Sequence, residues 1–302
     1  MNTKISLLAL AIITIILAGC ANETKKENTQ KNPVAHEATN KKENLNISIL
    51  LDLSDRIDPI KNANPSMEFY TRDLGYIESI SKGFEKHLRS KPIRNDDDQI
   101  QIYFEPEPLN SEINDLAKKL KLSFTRDNTT KEGILKISSQ YHSASNEIYN
   151  LAIKDKRYIG SDIWGFFKNK VGDYCIKPNH RNILFILTDG YMFHQDSKFR
   201  EGNRSSYLTP ELVKSLKLTT SDYRDLMQEN DYAFIKANDN LDHLEVVVLG
   251  INPAKGNTFE SDVINEYWNI WLKEMKVKNA IIKPADLPSN LDQVIQKIIL
   301  AK

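Results

Sequence analysis

Three short segments of the sequence carry oxygen-bearing side chains in a pattern suited to binding chemistry. Asp52 and Ser54 follow an apolar run, Ser161 precedes a predicted helix, and Asp189 stands in a Thr-Asp-Gly turn. Carboxylate and hydroxyl oxygens are hard ligands, of the kind that Mg²⁺ and Ca²⁺ prefer. If the three segments meet, the sequence predicts a polar site able to hold a divalent cation, with Mg²⁺ as the first candidate.

The elements that must position these residues alternate between short apolar runs and amphipathic segments. Runs that are apolar on both faces are typical of parallel strands covered by helices. The predicted strands are 45–53, 99–104, 182–188, 243–251 and 279–283. Apolar residues at helical spacing predict helices at 66–89, 132–152, 162–171, 261–275 and 290–300. This alternation predicts an α/β fold with an open, mostly parallel, doubly wound sheet and helices on both faces.

Binding sites of such sheets form at the carboxyl ends of the strands. Asp52 and Asp189 each end a predicted strand, and Ser161 lies in a turn that leads into a helix. We therefore expect the three segments to converge on one edge of the sheet. The stretch 196–240 is longer than an ordinary loop, and we expect it to form a helical insertion near this edge. Thr209 is a good helix start within it.

In order and spacing, the three segments resemble the metal-ion-dependent adhesion site of von Willebrand factor type A domains. That family carries Asp-x-Ser-x-Ser after its first strand, a threonine in a later loop, and an aspartate in a Thr-Asp-Gly turn. Asp52 and Ser54 match the first motif, Ser161 takes the threonine position, and Asp189 takes the last. The resemblance covers most of 45–302. It implies a Rossmann-like sheet, a metal held by these four residues, and an open metal position for a carboxylate of a partner.

Arg56 departs from the family pattern, which has a serine at this position. An arginine donates no oxygen to a metal, and its charge repels one. Either Arg56 points outward while Asp55 or a water completes the metal shell, or its guanidinium takes the place of the metal and pairs with Asp52 and Asp189. The sequence leaves both arrangements open.

The first 44 residues predict export and lipid attachment. Lys4 precedes an apolar run shorter than the roughly 20 residues that span a bilayer, as in a signal peptide. The segment Leu17-Ala18-Gly19-Cys20 resembles the lipobox of bacterial lipoproteins, which implies cleavage after residue 19 and lipid on the Cys20 thiol. An ordinary signal or an uncleaved anchor is the alternative. Residues 20–44 are rich in lysine and glutamate and are expected to be a disordered tether.

Composition limits the classes of function. Of 302 residues, 40% are hydrophobic and 27% are charged, which is typical of a globular protein. The 41 basic and 41 acidic residues cancel, which argues against a nucleic-acid binder that relies on long-range attraction. With Cys20 lipidated, Cys175 has no disulfide partner and is expected to be a buried, inert thiol. The sequence has no Gly-x-Ser-x-Gly elbow or glycine-rich phosphate loop.

Together these observations predict a non-enzymatic binding module of the cell envelope, anchored to a membrane through Cys20. Its partner is expected to be an unidentified protein or envelope component rather than a nucleic acid. Ala21 follows the lipidated position where an aspartate would favour the inner membrane, so the outer membrane is favoured in a Gram-negative host. One alternative is a structural or accessory lipoprotein with a degenerate metal site. Another is a metal-dependent hydrolase with Asp52 as its nucleophile.

Overall fold

The computed structural model describes residues 42–301 of the chain. The predicted signal peptide, the lipidation of Cys20 and nearly all of the predicted tether lie outside the described residues. Asn44, assigned to the tether by sequence, already belongs to the first strand. Within residues 42–301, no helix has the length and apolar character needed to cross a membrane.

Strands and helices alternate along the described chain. The strands are β1 Asn44–Leu51, β2 Asp97–Tyr103, β3 Leu122–Thr125, β4 His180–Leu187, β5 Arg200–Glu201, β6 Arg204–Ser205, β7 Leu244–Ile251 and β8 Asn279–Pro284. The helices are α1 Phe69–Arg89, α2 Ser111–Lys119, α3 Lys131–Asp155, α4 Ile163–Asn169, α5 Val171–Cys175, α6 Pro210–Ser215, α7 Tyr223–Asn230, α8 Glu260–Glu274 and α9 Pro288–Leu300.

Six strands form one central sheet in the order β3-β2-β1-β4-β7-β8. Every neighbouring pair is parallel except β2 and β3, which run antiparallel. The predicted α/β fold with a mostly parallel sheet is confirmed. The chain turns from one half of the sheet to the other between β1 and β4. The carboxyl ends of these two strands therefore flank the crevice in which open α/β sheets bind ligands.

Helices pack on both faces of the sheet because successive side chains of a strand point to opposite sides. In β1, Ile49 and Leu51 belong to an apolar core shared with α1, α3 and α9. Leu50 belongs to a second core, shared with α4 and α8. Cys175 lies in this second core and is fully buried, as predicted, and burial raises the pKa of its thiol to about 12. Strands that are apolar on both faces supply both cores.

The region 196–240 contains α6, α7 and the two-stranded β5–β6 hairpin. Thr209 caps α6, where its hydroxyl accepts the N–H of Leu212 at 3.2 Å. Sequence reasoning found the helix start but not the hairpin, whose strands have only two residues each. It also missed β3, which lies at the edge of the sheet, and α2, which precedes β3 in the chain.

Buried polar contacts stabilise the amino edge of the sheet, where the parallel strands begin. His87 Nε2 lies 3.1 Å from the carboxylate of Asp98, and Lys91 contacts the same carboxylate. Asp98 also accepts the N–H of Leu45 at 2.7 Å, which fixes the start of β1.

A second buried pair lies at the start of β4. Arg181 binds Glu245 through two parallel hydrogen bonds of 2.7 and 2.8 Å. The same guanidinium donates to three carbonyl oxygens at the end of α9, those of Ile298, Ile299 and Ala301. Every N–H group of this guanidinium thus donates to an acceptor. The Arg181–Glu245 pair joins β4 and β7 to the last helix.

Candidate functional site

Asp52 lies directly beyond β1 and is 2% exposed. Its Oδ1 accepts the N–H of Ser54 at 2.9 Å, and its Oδ2 accepts the hydroxyl of Thr188 at 2.8 Å. The N–H of Asp52 donates to the carbonyl of Leu187 at 3.1 Å. These bonds tie the end of β1 to the end of β4, so the first and the last predicted motif lie together at the crevice.

The side chain of Arg56 turns into the protein. It follows Ser54 within a short 3₁₀ turn and is 5% exposed. Its Nε donates to the backbone carbonyl of Asp52 at 3.1 Å and lies 3.4 Å from the Asp52 carboxylate. A terminal nitrogen binds Asp73 at 2.5 Å and the Leu187 carbonyl at 2.9 Å. Of the two arrangements that the sequence left open, the outward one is wrong.

Arg56 is therefore an internal cation, but its second direct partner is Asp73 rather than Asp189. Burial alone would lower the pKa of Arg56, and the carboxylates of Asp73 and Asp52 outweigh this effect and raise it. An arginine remains charged in proteins under all ordinary conditions. The guanidinium thus supplies a permanent positive charge beside the predicted metal ligands.

Asp73 is a site residue that sequence reasoning missed. It lies in α1, is 2% exposed, and accepts the Tyr149 hydroxyl of α3 at 2.8 Å in addition to Arg56. Burial raises its pKa, against the opposing effect of Arg56 and Tyr149. One signal could have found it: Asp73 stands four residues before Ile77, on the apolar stripe of α1. Asp52, Arg56, Asp73 and Asp189 are called the carboxyl-edge cluster below.

Asp189 completes this cluster and is partly buried. Its Oδ1 accepts the N–H of Tyr191 at 3.1 Å. Burial, followed by the negative charge of Asp52, raises its pKa to about 7, while Arg56 and the Tyr191 N–H act in the opposite direction. Near neutral pH this carboxyl is therefore about half protonated. A bound proton offsets part of the negative charge that one arginine cannot balance.

Ser161 is held beside the loop that follows Asp189. Its N–H donates to the carbonyl of Phe193 at 3.0 Å in an isolated β-bridge. Gly160 has a φ of 90°, and a Cβ atom there would lie 2.5 Å from the same carbonyl, so the bridge requires glycine. Asp162 caps α4 by accepting the N–H of Gly165 at 2.8 Å. All three predicted segments thus reach the carboxyl edge, Ser161 by way of this bridge.

Metal binding by Asp52, Ser54, Ser161 and Asp189 stays a prediction, and their arrangement fits a divalent cation poorly. Both oxygens of Asp52 already accept hydrogen bonds, and the Arg56 guanidinium lies 3.4 Å from one of them. A divalent cation at the same place would be repelled by that fixed charge.

Within the described chain, no three His, Cys, Asp or Glu side chains are grouped so that they could hold a metal ion. The predicted ligand set is of a different kind, because two of its four members are serines. The finding therefore leaves that set untested.

Exposed apolar side chains surround the carboxyl edge. Residues 42–301 contain seven large apolar side chains that are exposed, and four of them lie in loops that leave the carboxyl ends of β1, β2, β4 and β8. These four, called the apolar rim below, are Ile60, Leu109, Phe193 and Leu287. Ile60 is 80% exposed and Leu109 is 65% exposed. Contiguous exposed apolar patches are a feature of interaction surfaces, and these four side chains belong to loops at the same end of the strands.

Comparisons with known proteins identify no family for this chain. No protein-family model matches it, and no curated protein matches its sequence. Among solved structures it is similar to a mutant of the PilB minor pilin from Streptococcus sanguinis, with a TM-score of 0.40 and 9% sequence identity. The match covers 87% of this chain and 62% of the pilin chain, so the chain spans less than two thirds of that protein. At this level of similarity the match carries no conclusion about function.

Proposed function

We propose that this chain is a binding module of the cell envelope that recognises a partner protein at the carboxyl edge of its sheet. The observation that carries the proposal is the apolar rim around the carboxyl-edge cluster. Each large apolar side chain that a partner covers contributes roughly 25 cal/mol for every Å² removed from water. Protein interfaces combine apolar contact area, which contributes affinity, with hydrogen bonds, which orient the partner.

Within this proposal, the fold is of the von Willebrand factor A type and its adhesion site works without a metal. Two observations support this interpretation. The sheet order and the antiparallel β3 agree with a Rossmann-like arrangement, and the three motifs reach its carboxyl edge. Arg56 supplies a fixed positive charge beside Asp52, where the family has a metal.

The internal position of Arg56 also favours a second candidate function, that of a structural or accessory protein in an envelope complex. A buried guanidinium preserves the fold without an exchangeable ligand position. A hydrolase with Asp52 as nucleophile has less support, because a nucleophilic carboxylate must be reached by its substrate and Asp52 is 2% exposed. The proposal is therefore non-enzymatic.

A photo-crosslinking amino acid placed on the rim tests the proposal in the native host. We expect the full chain to give the same protein adduct from Leu109 and from Phe193. Leu135 and Ile93 are exposed apolar residues outside the rim and serve as matched control positions. Adducts that arise equally from rim and control positions, or from control positions alone, would contradict a binding surface at the carboxyl edge.

Anchoring through Cys20 is the part of the proposal that places the chain at a membrane, on the outer membrane in a Gram-negative host. It depends on the lipobox resemblance. Mass spectrometry of the mature protein is expected to show loss of residues 1–19 and acyl chains on Cys20. Cys20→Ser should move the protein out of the membrane fraction, while Cys175→Ser, the matched control, should not. An unmodified Cys20 in the membrane fraction would exclude this mode of attachment.

Calorimetry distinguishes the metal-free site from a metal-dependent one. With Arg56 in place, we expect Mg²⁺ or Mn²⁺ to give no heat beyond that of dilution. Heat of binding that appears with the wild type and is lost in Asp189→Ala would restore the metal-dependent adhesion site. That result would leave the fold and the rim unaffected.

A further inference from the structure

The outer edge of β2 is only half covered by its neighbour. β3 pairs with Asp97–Ile100, and the last pair in the register joins Ile100 to Leu122. β2 continues to Tyr103, whereas the chain before Leu122 leaves the sheet and joins α2. In the described part of the chain, the position beside 101–104 in this edge row therefore holds no strand.

Hydrogen bonds on the far side of β3 indicate which backbone groups point into this row. Asn128 accepts the N–H of Thr125 at 2.7 Å and donates to the carbonyl of Ser123 at 2.9 Å. In an antiparallel pair of strands, hydrogen-bonded residue pairs alternate with pairs that exchange no hydrogen bond. Because Ser123 and Thr125 face away from β2, the hydrogen-bonded pair is the one between Ile100 and Leu122. Ile100 thus directs its backbone groups into the edge row.

Ile102 directs its N–H and C=O into the same row, because it stands two residues after Ile100 in the strand. The hydrogen bonds found within residues 42–301 outside the strand ladders include none to the backbone of Ile102. Unpaired backbone groups at a sheet edge are a template for another strand, and native proteins often blunt such an edge with lysine or proline. The strand at the opposite edge, β8, ends in Lys283 and Pro284, whereas 101–104 contains neither residue type.

The open edge of β2 lies in a groove of about 620 Å³ that residues of α2 and α5 also line. This volume falls within the range of roughly 300–1,000 Å³ that is usual for ligand sites. Ile102 and Phe104 line the groove together with Asn114 of α2 and Tyr174 of α5. Tyr174 is 44% exposed and stacks on Tyr103 of β2, with ring centroids 5.2 Å apart. The unpaired backbone groups thus border a space large enough for a short extended segment.

The charged lining of the groove is only partly paired. Two lysines of the lining form ion pairs with carboxylates nearby, Lys118 with Asp115 and Lys170 with Glu105. Glu107 and Lys121 also line the groove, and the ion pairs found among the described residues include neither. Glu107 follows the carboxyl end of β2, and Lys121 directly precedes β3. A segment that fills the row therefore meets a negative charge at one end and a positive charge at the other, and Asp173 of α5 adds a second carboxylate.

We propose that an extended segment of the partner protein adds to this edge as a strand, in line with β3 and antiparallel to β2. Strand addition gains affinity from main-chain hydrogen bonds and specificity from side-chain contacts, and antiparallel pairing is slightly more stable than parallel pairing. The charges assign a basic side chain of the segment to Glu107 and an acidic one to Lys121. Leu109 of the apolar rim lies two residues after Glu107, so the groove is continuous with the rim. That one partner covers both surfaces rests on the proposed function.

Two synthetic hexapeptides, acetylated and amidated at their ends, test the strand addition. The first has the sequence Lys-Thr-Val-Thr-Val-Asp, and the second exchanges the two charged residues. The readout is hydrogen exchange of backbone amides, measured by NMR in the full chain kept in detergent micelles. At saturation, we expect the first peptide to slow exchange of the Ile102 N–H by about fivefold or more, because this N–H gains an acceptor. Ile100 already has a partner in β3 and is the internal reference, whose exchange should not change.

The preference between the two peptides tests the charge assignment. Exposed ion pairs are weak, so we expect the first peptide to bind about threefold more tightly than the second. Glu107→Lys combined with Lys121→Glu should reverse this preference. Glu147→Lys combined with Lys154→Glu is the matched control and should keep the preference, because both residues are exposed and neither lines the groove.

Each contrary result removes a defined part of the inference. No slowing of exchange at Ile102 by either peptide would overturn the strand addition. A preference of the wild type for the second peptide would overturn the antiparallel direction. Equal affinities in the wild type, or an unchanged preference in the variant with exchanged charges, would overturn the charge assignment.

Crosslinking separates this inference from the proposed function. We expect Glu107→Lys combined with Lys121→Glu to reduce the adduct formed from Phe193 by about threefold. An unchanged adduct would overturn the assignment of the segment to the partner that covers the rim. If the rim gives no adduct at all but the first peptide still slows exchange at Ile102, the proposed function fails and the strand-binding edge stands.

Discussion

Each edge of the central sheet buries an arginine, and the two arginines differ in how their charge is balanced. At the amino edge, Arg181 faces the single carboxylate of Glu245, and its remaining donors bind backbone carbonyls. At the carboxyl edge, Arg56 is the one guanidinium among three carboxylates of the cluster, and one of these takes up a proton near neutral pH. A balanced ion pair needs nothing more from its surroundings, whereas an unbalanced cluster responds to pH and to added charge.

This contrast indicates which edge of the sheet to examine for a function, since both edges bury charged side chains. Buried charges alone do not mark a site, because structural ion pairs also perturb pKa values. The carboxyl edge differs in that its cluster lies at the crevice between β1 and β4 and is ringed by the apolar rim. Among the described residues, the carboxyl edge alone combines unbalanced charge, a position at the crevice and exposed apolar side chains.

The largest effects are expected from removal of either buried arginine. Arg56→Met and Arg181→Met each leave a buried carboxylate without its partner and should lower the free energy of unfolding by about 3–5 kcal/mol. Urea unfolding at pH 6 and pH 8 measures both. The loss of unfolding free energy in Arg56→Met should grow more with pH than the loss in Arg181→Met, because Arg56→Met leaves three carboxylates together. Arg157→Met, which changes an exposed arginine, is the control, and its free energy of unfolding should change by no more than about 0.5 kcal/mol. An equal pH response of the two buried variants would remove the contrast between the edges.

A change of intermediate size is expected where the carboxyl edge depends on backbone geometry. Gly160→Ala places a Cβ against the Phe193 carbonyl at a positive φ and should cost about 1–3 kcal/mol. Gly172→Ala is the matched control, because a Cβ there meets nothing within 4 Å. Urea unfolding of both variants measures the effect. A stable Gly160→Ala would mean that the bridge to Phe193 is dispensable.

The smallest effect concerns the proton on Asp189. The pKa of Asp189 is about 7 in the folded protein, against an ordinary value of 3.8, so the folded state binds more protons between about pH 4 and pH 7. The wild type should therefore lose stability as pH rises through this window, and Asp189→Asn should lose less. We expect the variant to be more stable than the wild type at pH 8 by roughly 1–2 kcal/mol.

Urea unfolding of wild type and Asp189→Asn at four pH values from 5 to 8 checks this prediction. Asp127→Asn, in an exposed turn after β3, is the control and should keep the wild-type profile. Parallel profiles of Asp189→Asn and the wild type would show that Asp189 ionises without penalty, and the imbalance inferred for the carboxyl edge would be wrong.

Much of the fold could be predicted from the sequence because its main strands are apolar on both faces. The runs before Asp52 and Asp189 fill two cores at once, which leaves a parallel sheet as the arrangement that buries them. The strand β3 gave no such signal, because Phe124 is its one buried side chain. Residues 1–41 carry the lipid prediction and lie outside the described chain.

The position of the candidate site could be predicted from the sequence, but its electrostatics could not. Strand ends bring Asp52 and Asp189 to one edge, and the motif order adds Ser161. The direction of the Arg56 side chain depends on Asp73 and Tyr149, which lie on different helices. Their meeting depends on how α1 and α3 pack, and no local pattern around Arg56 encodes it.

The apolar rim is carried by four separate loops, and none of its side chains belongs to either buried core. Substitutions of such surface residues usually change stability by less than about 0.5 kcal/mol. If a partner binds at the rim as proposed, mutational drift in these loops can exchange one partner for another while the folded state is preserved. Homologous chains would then diverge fastest at this end of the molecule and keep the arginine and the aspartates beneath it.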